Sequence, residues 1–175
     1  SQPAPERRLI GECWFGDEPR RRVLPPNATG LLELKIAVPG EGEVVADAAF
    51  PTPSAPGPTA ILDVGVRSNL WSGEQRQQIS LPLSRPDQPS TPAVFEFTTG
   101  ESGSVAEFEI VVSYQNRPLQ AATLSAAVRS VGLPGERITL RTHPLSTPAA
   151  PDPTSTPVDV ALDGRGAELR NTVSA

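Results

Sequence analysis

Apolar side chains recur at every second position along most of this chain, the spacing that puts one face of an extended strand in a core and the other in water. Leu32, Leu34, Ile36 and Val38 alternate with Glu33, Lys35 and Ala37. Leu62, Val64 and Val66 repeat the pattern, as do Ile79, Leu81 and Leu83, and Phe95 with Phe97. Ala106, Phe108, Ile110, Val112 and Tyr114 carry it furthest, and Ala122, Leu124, Ala126 and Val128 resume it after a turn at residues 115–118. Residues 8–15 supply the first strand. Ile138 and Leu140, with Arg137, Thr139 and Arg141 on the opposite face, supply the last. The Ala-rich run 119–128 has helix formers, but Thr123, Val128 and the turn before it favour a hairpin return. No window sustains the i, i+3, i+4, i+7 spacing of an amphipathic helix. About eight short strands, each with one buried face, are what a two-sheet sandwich requires. The pattern therefore predicts an all-β fold, an immunoglobulin-like two-sheet β-sandwich with Pro-rich loops.

Proline sets the internal boundaries. The sequence has 21 prolines in 175 residues, more than twice the usual share of about 5%. Proline has no backbone donor and is tolerated at edges, turns and linkers. Pro82, inside the strand at 79–83, therefore marks that strand as a sheet edge. Stretches 51–58 and 82–92 read as long loops within the domain. Stretch 144–157, with Ser, Thr, Ala and Asp between its prolines, reads as a semi-rigid linker. The expected organisation is a flexible lead over 1–8, the sandwich over 9–143, the linker over 144–157 and a C-terminal β-hairpin over 158–175. In that hairpin Val158, Val160 and Leu162 precede an Asp163-Gly164 turn. A hairpin of this size is marginal alone, so it is expected to join the main sheet or to open a further domain. The opening Ser1-Gln-Pro-Ala has no hydrophobic signal region and no initiator Met, which points to a piece of a longer chain.

Charge narrows the function classes. The formal net charge is -5, and nucleic-acid binding draws most of its affinity from phosphate neutralisation, so no nucleic-acid partner is expected. No run approaches the 18 or so apolar residues of a spanning helix, so no membrane insertion is expected. His143 and Cys13 are the single histidine and cysteine, so any nucleophile–histidine arrangement must use His143 at the mouth of the linker. A Cys13/His143 dyad stands against a thiol acting as a small hydrophobe and an exposed histidine, and the second reading is the expected one. Glu107 and Glu109 alternate with Phe108 and Ile110, which places them on a solvent face rather than in an acid–base pair. Glycine-rich stretches lack the spacing of phosphate loops, and Asp159, Asp163 and Glu168 are too scattered for calcium. Asn27-Ala28-Thr29 matches a glycosylation triplet but reads as a turn. No catalytic residue, metal site or cofactor is assigned, and the chain is read as a non-enzyme. A lone cysteine leans towards a reducing, cytoplasmic compartment.

The binding candidates are Arg20, Arg21, Arg22, Trp71, Asn116 and Arg117. The three consecutive arginines follow Asp17-Glu18-Pro19 and form the densest charge run, suited either to an acidic peptide or phosphate or to a solvated loop offset by its acids. Trp14 is expected to anchor the core beside Cys13. Trp71, within 68–73, is expected in a loop as an exposed contact, since aromatics carry much of an interface's energy. Asn116 and Arg117 belong to the turn at 115–118, and loops at the end of a sandwich are held rigidly by its strands.

Three segments carry a family resemblance. They are Cys13-Trp-Phe-Gly-Asp17, the hairpin Phe108-Glu-Ile-Val-Val-Ser-Tyr-Gln-Asn-Arg-Pro-Leu-Gln120, and Val158-Asp-Val-Ala-Leu-Asp-Gly-Arg-Gly166. In layout, over residues 9 to 175, the chain resembles the Ig-like modules of large bacterial effectors. Such modules accompany caspase-like proteases of the CHAT type and NTPases in conflict systems, where they mediate assembly. The resemblance implies a non-enzymatic protein-interaction module of a larger bacterial intracellular protein, with protein partners such as a caspase-like protease or NTPase component. The protease's own His and Cys motifs are missing here, so no catalytic residue carries over. The alternatives are a secreted or cell-surface Ig-like adhesion or carbohydrate-binding module, for which Pro/Thr/Ser linkers are common, and a small hydrolase using Cys13 or a carboxylate pair.

Overall fold

A computed structural model describes residues 6–145. The linker from Ser146 onward and the hairpin at 158–175 lie outside the described residues. The strands are β1 (Arg8–Phe15), β2 (Glu18–Arg20), β3 (Val23–Leu24), β4 (Thr29–Ala37), β5 (Val44–Val45), β6 (Thr59–Ser68), β7 (Glu74–Pro82), β8 (Ala93–Thr98), β9 (Val105–Tyr114), β10 (Arg117–Val128) and β11 (Thr139–His143). One sheet runs β2-β1-β4-β8 with β5 also on β1; the other runs β11-β10-β9-β6-β7 with β3 also on β10. Apart from the short β3, the chain changes sheet between β5 and β6, between β7 and β8, and again between β8 and β9. This sets β1-β4-β8 against β7-β6-β9-β10, the strand order of an immunoglobulin-like sandwich. The eight longer strands lie at the expected places, although β7 begins at Glu74, ahead of the apolar alternation at 79–83, in an exposed polar run. β2, β3 and β5 are additional, and at two or three residues each they are too short for a period of two to register.

The alternation becomes the core directly. On β9, Ala106, Phe108, Ile110 and Val112 are buried while Glu107 and Glu109 face solvent. Across the sandwich they meet Leu32, Leu34, Phe95 and Phe97, and Phe97 packs edge-on against Phe108 at 5.1 Å. Where β1 passes β10 there is no space for a side chain: a Cβ on Gly11 would lie 2.6 Å from Leu124 Cδ1. The turn between β9 and β10 is tighter than residues 115–118. Tyr114 pairs with Arg117, leaving Gln115 and Asn116 at φ of 50° and 64°, the two-residue type I′ turn that matches strand twist. Arg117 and Pro118 therefore belong to β10, and the register shifts between Pro118 and Gln120, where the missing proline donor is absorbed.

The two seams between the sheets close differently. At β7–β8 the Gln77 side chain acts as a substitute peptide group: Val94 N–H donates to Gln77 Oε1 at 2.8 Å, and Gln77 Nε2 donates back to Val94 O. Ser80 N–H donates to Thr91 Oγ1 at 2.8 Å, and Thr91 N–H to Ser80 O at 3.0 Å. β7 is the sheet edge that Pro82 predicts. Buried Arg7 ties the Pro-rich loop beyond it, donating to the carbonyls of Arg85 and Gln88 at 2.6 and 2.8 Å.

Candidate functional site

Among the described residues, the opposite seam, between β5 and β11, is joined by hydrogen bonds only at its two ends. At one end Ile138 N–H donates to Arg21 O at 3.1 Å. At the other, Asp47 Oδ1 accepts from Thr142 N–H at 2.9 Å and from Thr142 Oγ1 at 2.6 Å. Between these ties lies a cavity of about 410 Å³ lined by Arg21, residues 42–45, Asp47 and residues 137–141. It is a window in the wall of the sandwich.

Among the described residues, Leu140 and Val45 turn main-chain groups towards the window that no neighbouring strand pairs. Thr142 and Ile138 point their N–H groups out of the sheet, so by strand parity Leu140 does too, and its N–H and C=O face the window rather than β10. On the facing wall Ala46 N–H bonds Leu9 O, which leaves Val45 turned away from β1 in the same manner.

The charges around the window are uneven. Glu43 is engaged by its own chain: Oε1 accepts from Gly40 N–H at 2.6 Å and Oε2 lies 3.4 Å from Lys35 Nζ. The hydroxyl and the N–H of Thr142 hold the Asp47 carboxyl below the usual carboxylate range. Arg21 reaches Glu12, buried on the outer side of β1, at 3.4 Å, with its own side chain 40% exposed. Gly42, at φ of 80°, lets the loop cross over that guanidinium, because a Cβ there would sit 2.8 Å from Arg21 Nη1. Arg137 and Arg141 have no carboxylate within ion-pair distance among the described residues. The window is thus bordered by arginines with spare donors, by Glu43 with both oxygens engaged, and by Asp47, whose Oδ1 is taken by Thr142 and whose charge acts on Arg141 without an ion pair.

A second cavity, of about 330 Å³, adjoins it through Arg21 and is lined by Arg20, Arg21, Arg22, Val23 and Gly132. Arg22 braces the neighbouring loop, donating to Leu133 O and Glu136 O at 3.2 Å each. Glu136 closes that loop by accepting from Leu133 N–H at 3.0 Å and Arg129 Nε at 2.9 Å.

The sequence candidates distribute unevenly over this geometry. Arg20, Arg21 and Arg22 meet at the two cavities. Arg20 lies on β2, 3.3 Å from Glu18, so the run is only partly the solvated loop expected of it. Asn116 and Arg117 sit at the exposed β9–β10 turn, where Arg117 borders a separate hollow with Tyr114 and Leu119. Trp71 lies in the loop expected of it but is half-buried rather than exposed, with its ring 5.7 Å from Phe108 and its Nε1 buried without a partner among the described residues. Trp14 is corrected in the other direction. It lies on the outer face of its sheet, beside Pro19 and Leu31 in register, and donates from Nε1 to Glu33 at 3.3 Å. Both tryptophans are half-buried, and Trp14 faces outward because strand parity sends Cys13 and Phe15 inward. Cys13 is the core thiol expected, and Glu107 and Glu109 are solvent-facing as expected.

No known protein family, curated protein or solved structure matches this chain.

What the chain can do is therefore read from the window itself. Arg137 and Arg141 carry no site signal in the sequence, because Arg141 is a routine outward position on β11 and Arg137 lies just ahead of that strand. The one hint is that two arginines bracket Ile138-Thr-Leu140.

Proposed function

We propose that this chain is a non-enzymatic protein-interaction and assembly module of a larger bacterial intracellular protein, and that it binds through the β5–β11 seam. One observation carries the reading. The β7–β8 seam is closed by side-chain and main-chain bonds, whereas the β5–β11 seam keeps an arginine-bordered opening with unspent backbone groups. Sheet edges and the loops beside them are where sandwiches take protein partners. A protease or NTPase component of the same assembly is the partner class implied by the resemblance. The test is affinity capture from native lysate with the full chain and with its Arg137→Glu/Arg141→Glu variant as parallel baits. A defined set of proteins retained by the first and lost by the second supports the reading; identical sets overturn it.

A second reading, a secreted or cell-surface module that binds carbohydrate, draws on the outer-face row Pro19–Trp14–Leu31, where an apolar strip borders Glu33 and Glu96. Polysaccharide retention lost on Trp14→Ala, with the arginine variant unaffected, would favour it.

A further inference from the structure

We propose that the window takes a short extended acidic segment of the partner protein, its main chain paired with Leu140 and its carboxylates held by Arg21, Arg137 and Arg141. The inference rests on the interaction-module reading and names the chemistry of the partner.

Two features select a peptide over a free anion. Leu140 offers a donor and an acceptor to the window, and Val45 offers a second pair on the facing wall. A peptide main chain presents a donor and an acceptor at the spacing of a strand edge, whereas a phosphate is chiefly an acceptor and has no such spacing. The guanidinium fork matches a carboxylate in two parallel bonds, and Arg137 and Arg141 lie on either side of Leu140 in the chain. A polynucleotide is disfavoured because the chain carries a net charge of -5 and the window itself includes Glu43 and Asp47.

Strand parity sets the order of side chains. A residue paired with Leu140 projects to the same face as Leu140, which packs inward, and its two neighbours project to the face that carries Thr139 and Arg141. The segment expected is therefore acid–apolar–acid. The cavity between the Arg21–Ile138 and Asp47–Thr142 ties limits it to a few residues.

The probe is a fluorescein-labelled Gly-Asp-Val-Asp-Gly peptide titrated into the full 175-residue chain, with Gly-Asn-Val-Asn-Gly and inorganic phosphate as comparisons. Binding is read by anisotropy at two salt concentrations and by the amide resonance of Leu140. The acidic peptide should bind at least about tenfold tighter than the asparagine peptide, weaken with salt, and shift the Leu140 amide. Arg137→Ala and Arg141→Ala, both at exposed positions, should each weaken it about tenfold with the melting temperature unchanged. Equal binding of the two peptides, or an unmoved Leu140 amide at saturation, overturns the proposal. A phosphate that moves Leu140 with the same affinity overturns it in favour of a small-anion site. If the lysate bait loses partners on arginine reversal while the acidic peptide shows no preference, the module reading stands and the acidic-segment inference alone falls.

Discussion

Cys13 shows how completely the fold determines one side chain's chemistry. It is 1% exposed, and burial, with the Glu12 carboxylate beside it, pushes its thiol up to about 12 from 9.0. Because the thiolate is the reactive form, the thiolate fraction at pH 8 falls about a thousandfold. In the folded protein an aromatic disulfide reagent should leave Cys13 unmodified for hours, and denaturant should release one thiol at once. Rapid labelling of the native chain would contradict this burial. Asp47 makes the opposite case at the surface. Bonds from Thr142 depress its folded pKa below 3.8, so the stability it contributes is present above that value and is lost as pH falls through the lower, folded one. Glu136 acts in the same direction through the N–H of Leu133. Urea midpoints followed from about pH 6 down to pH 2 should drop less steeply in Asp47→Asn than in the parent. Parallel curves would remove Asp47 from the account.

At the scale of elements, the long strands were legible in the sequence because their inward and outward residues differ in kind, as Phe108 and Glu109 do. Two things were not legible. Strands as short as Val44–Val45 show no period, and their pairing is decided by the strand they lie against, β1. Which face a residue takes also depends on register, so a tryptophan next to a core cysteine reads as core when alternation sends it outward. The arginine run at 20–22 could be seen as a cluster, but its neighbours across the seam, Arg137 and Arg141, are more than a hundred residues away in sequence and only the sheet order brings them together. Gln77 is a similar case: nothing in the run Gln75-Arg-Gln-Gln78 tells which amide will stand in for a strand. Its two bonds to Val94 make Gln77→Ala cost about 1–2 kcal/mol. Hydrogen exchange at the Val94 amide should rise in that variant, and an unchanged rate would show that the seam closes without it.

Over the whole molecule, the two seams give the sandwich unequal edges. Amides on the central strands, such as Val64 and Val112, should exchange only with global unfolding, whereas Leu140 and Val45 should exchange fastest among the strand amides. Native-state exchange mapped residue by residue decides this, and uniform protection across both seams would mean the window is closed in solution. The same opening is the part of the fold that a partner can change without disturbing the core, because Leu140 keeps its bonds to neither wall while its strand stays paired with β10 through Thr139 and Arg141.

The tie between Asp47 and Thr142 has a mechanical side. Arg8 Nη1 donates to Ala46 O at 3.0 Å and Ala46 N–H to Leu9 O at 2.9 Å, so the start of β1 and the end of β11 meet across two adjoining residues, Ala46 and Asp47. Tension applied to the chain on either side of the sandwich would load these few bonds one after another, as in peeling, rather than shearing whole strands together. Such a junction yields at low force, and what it releases first is the end of β11 that borders the window. A pull on that end of the chain would thus widen the same opening that the proposed segment would fill, setting tension and partner in competition for one strand.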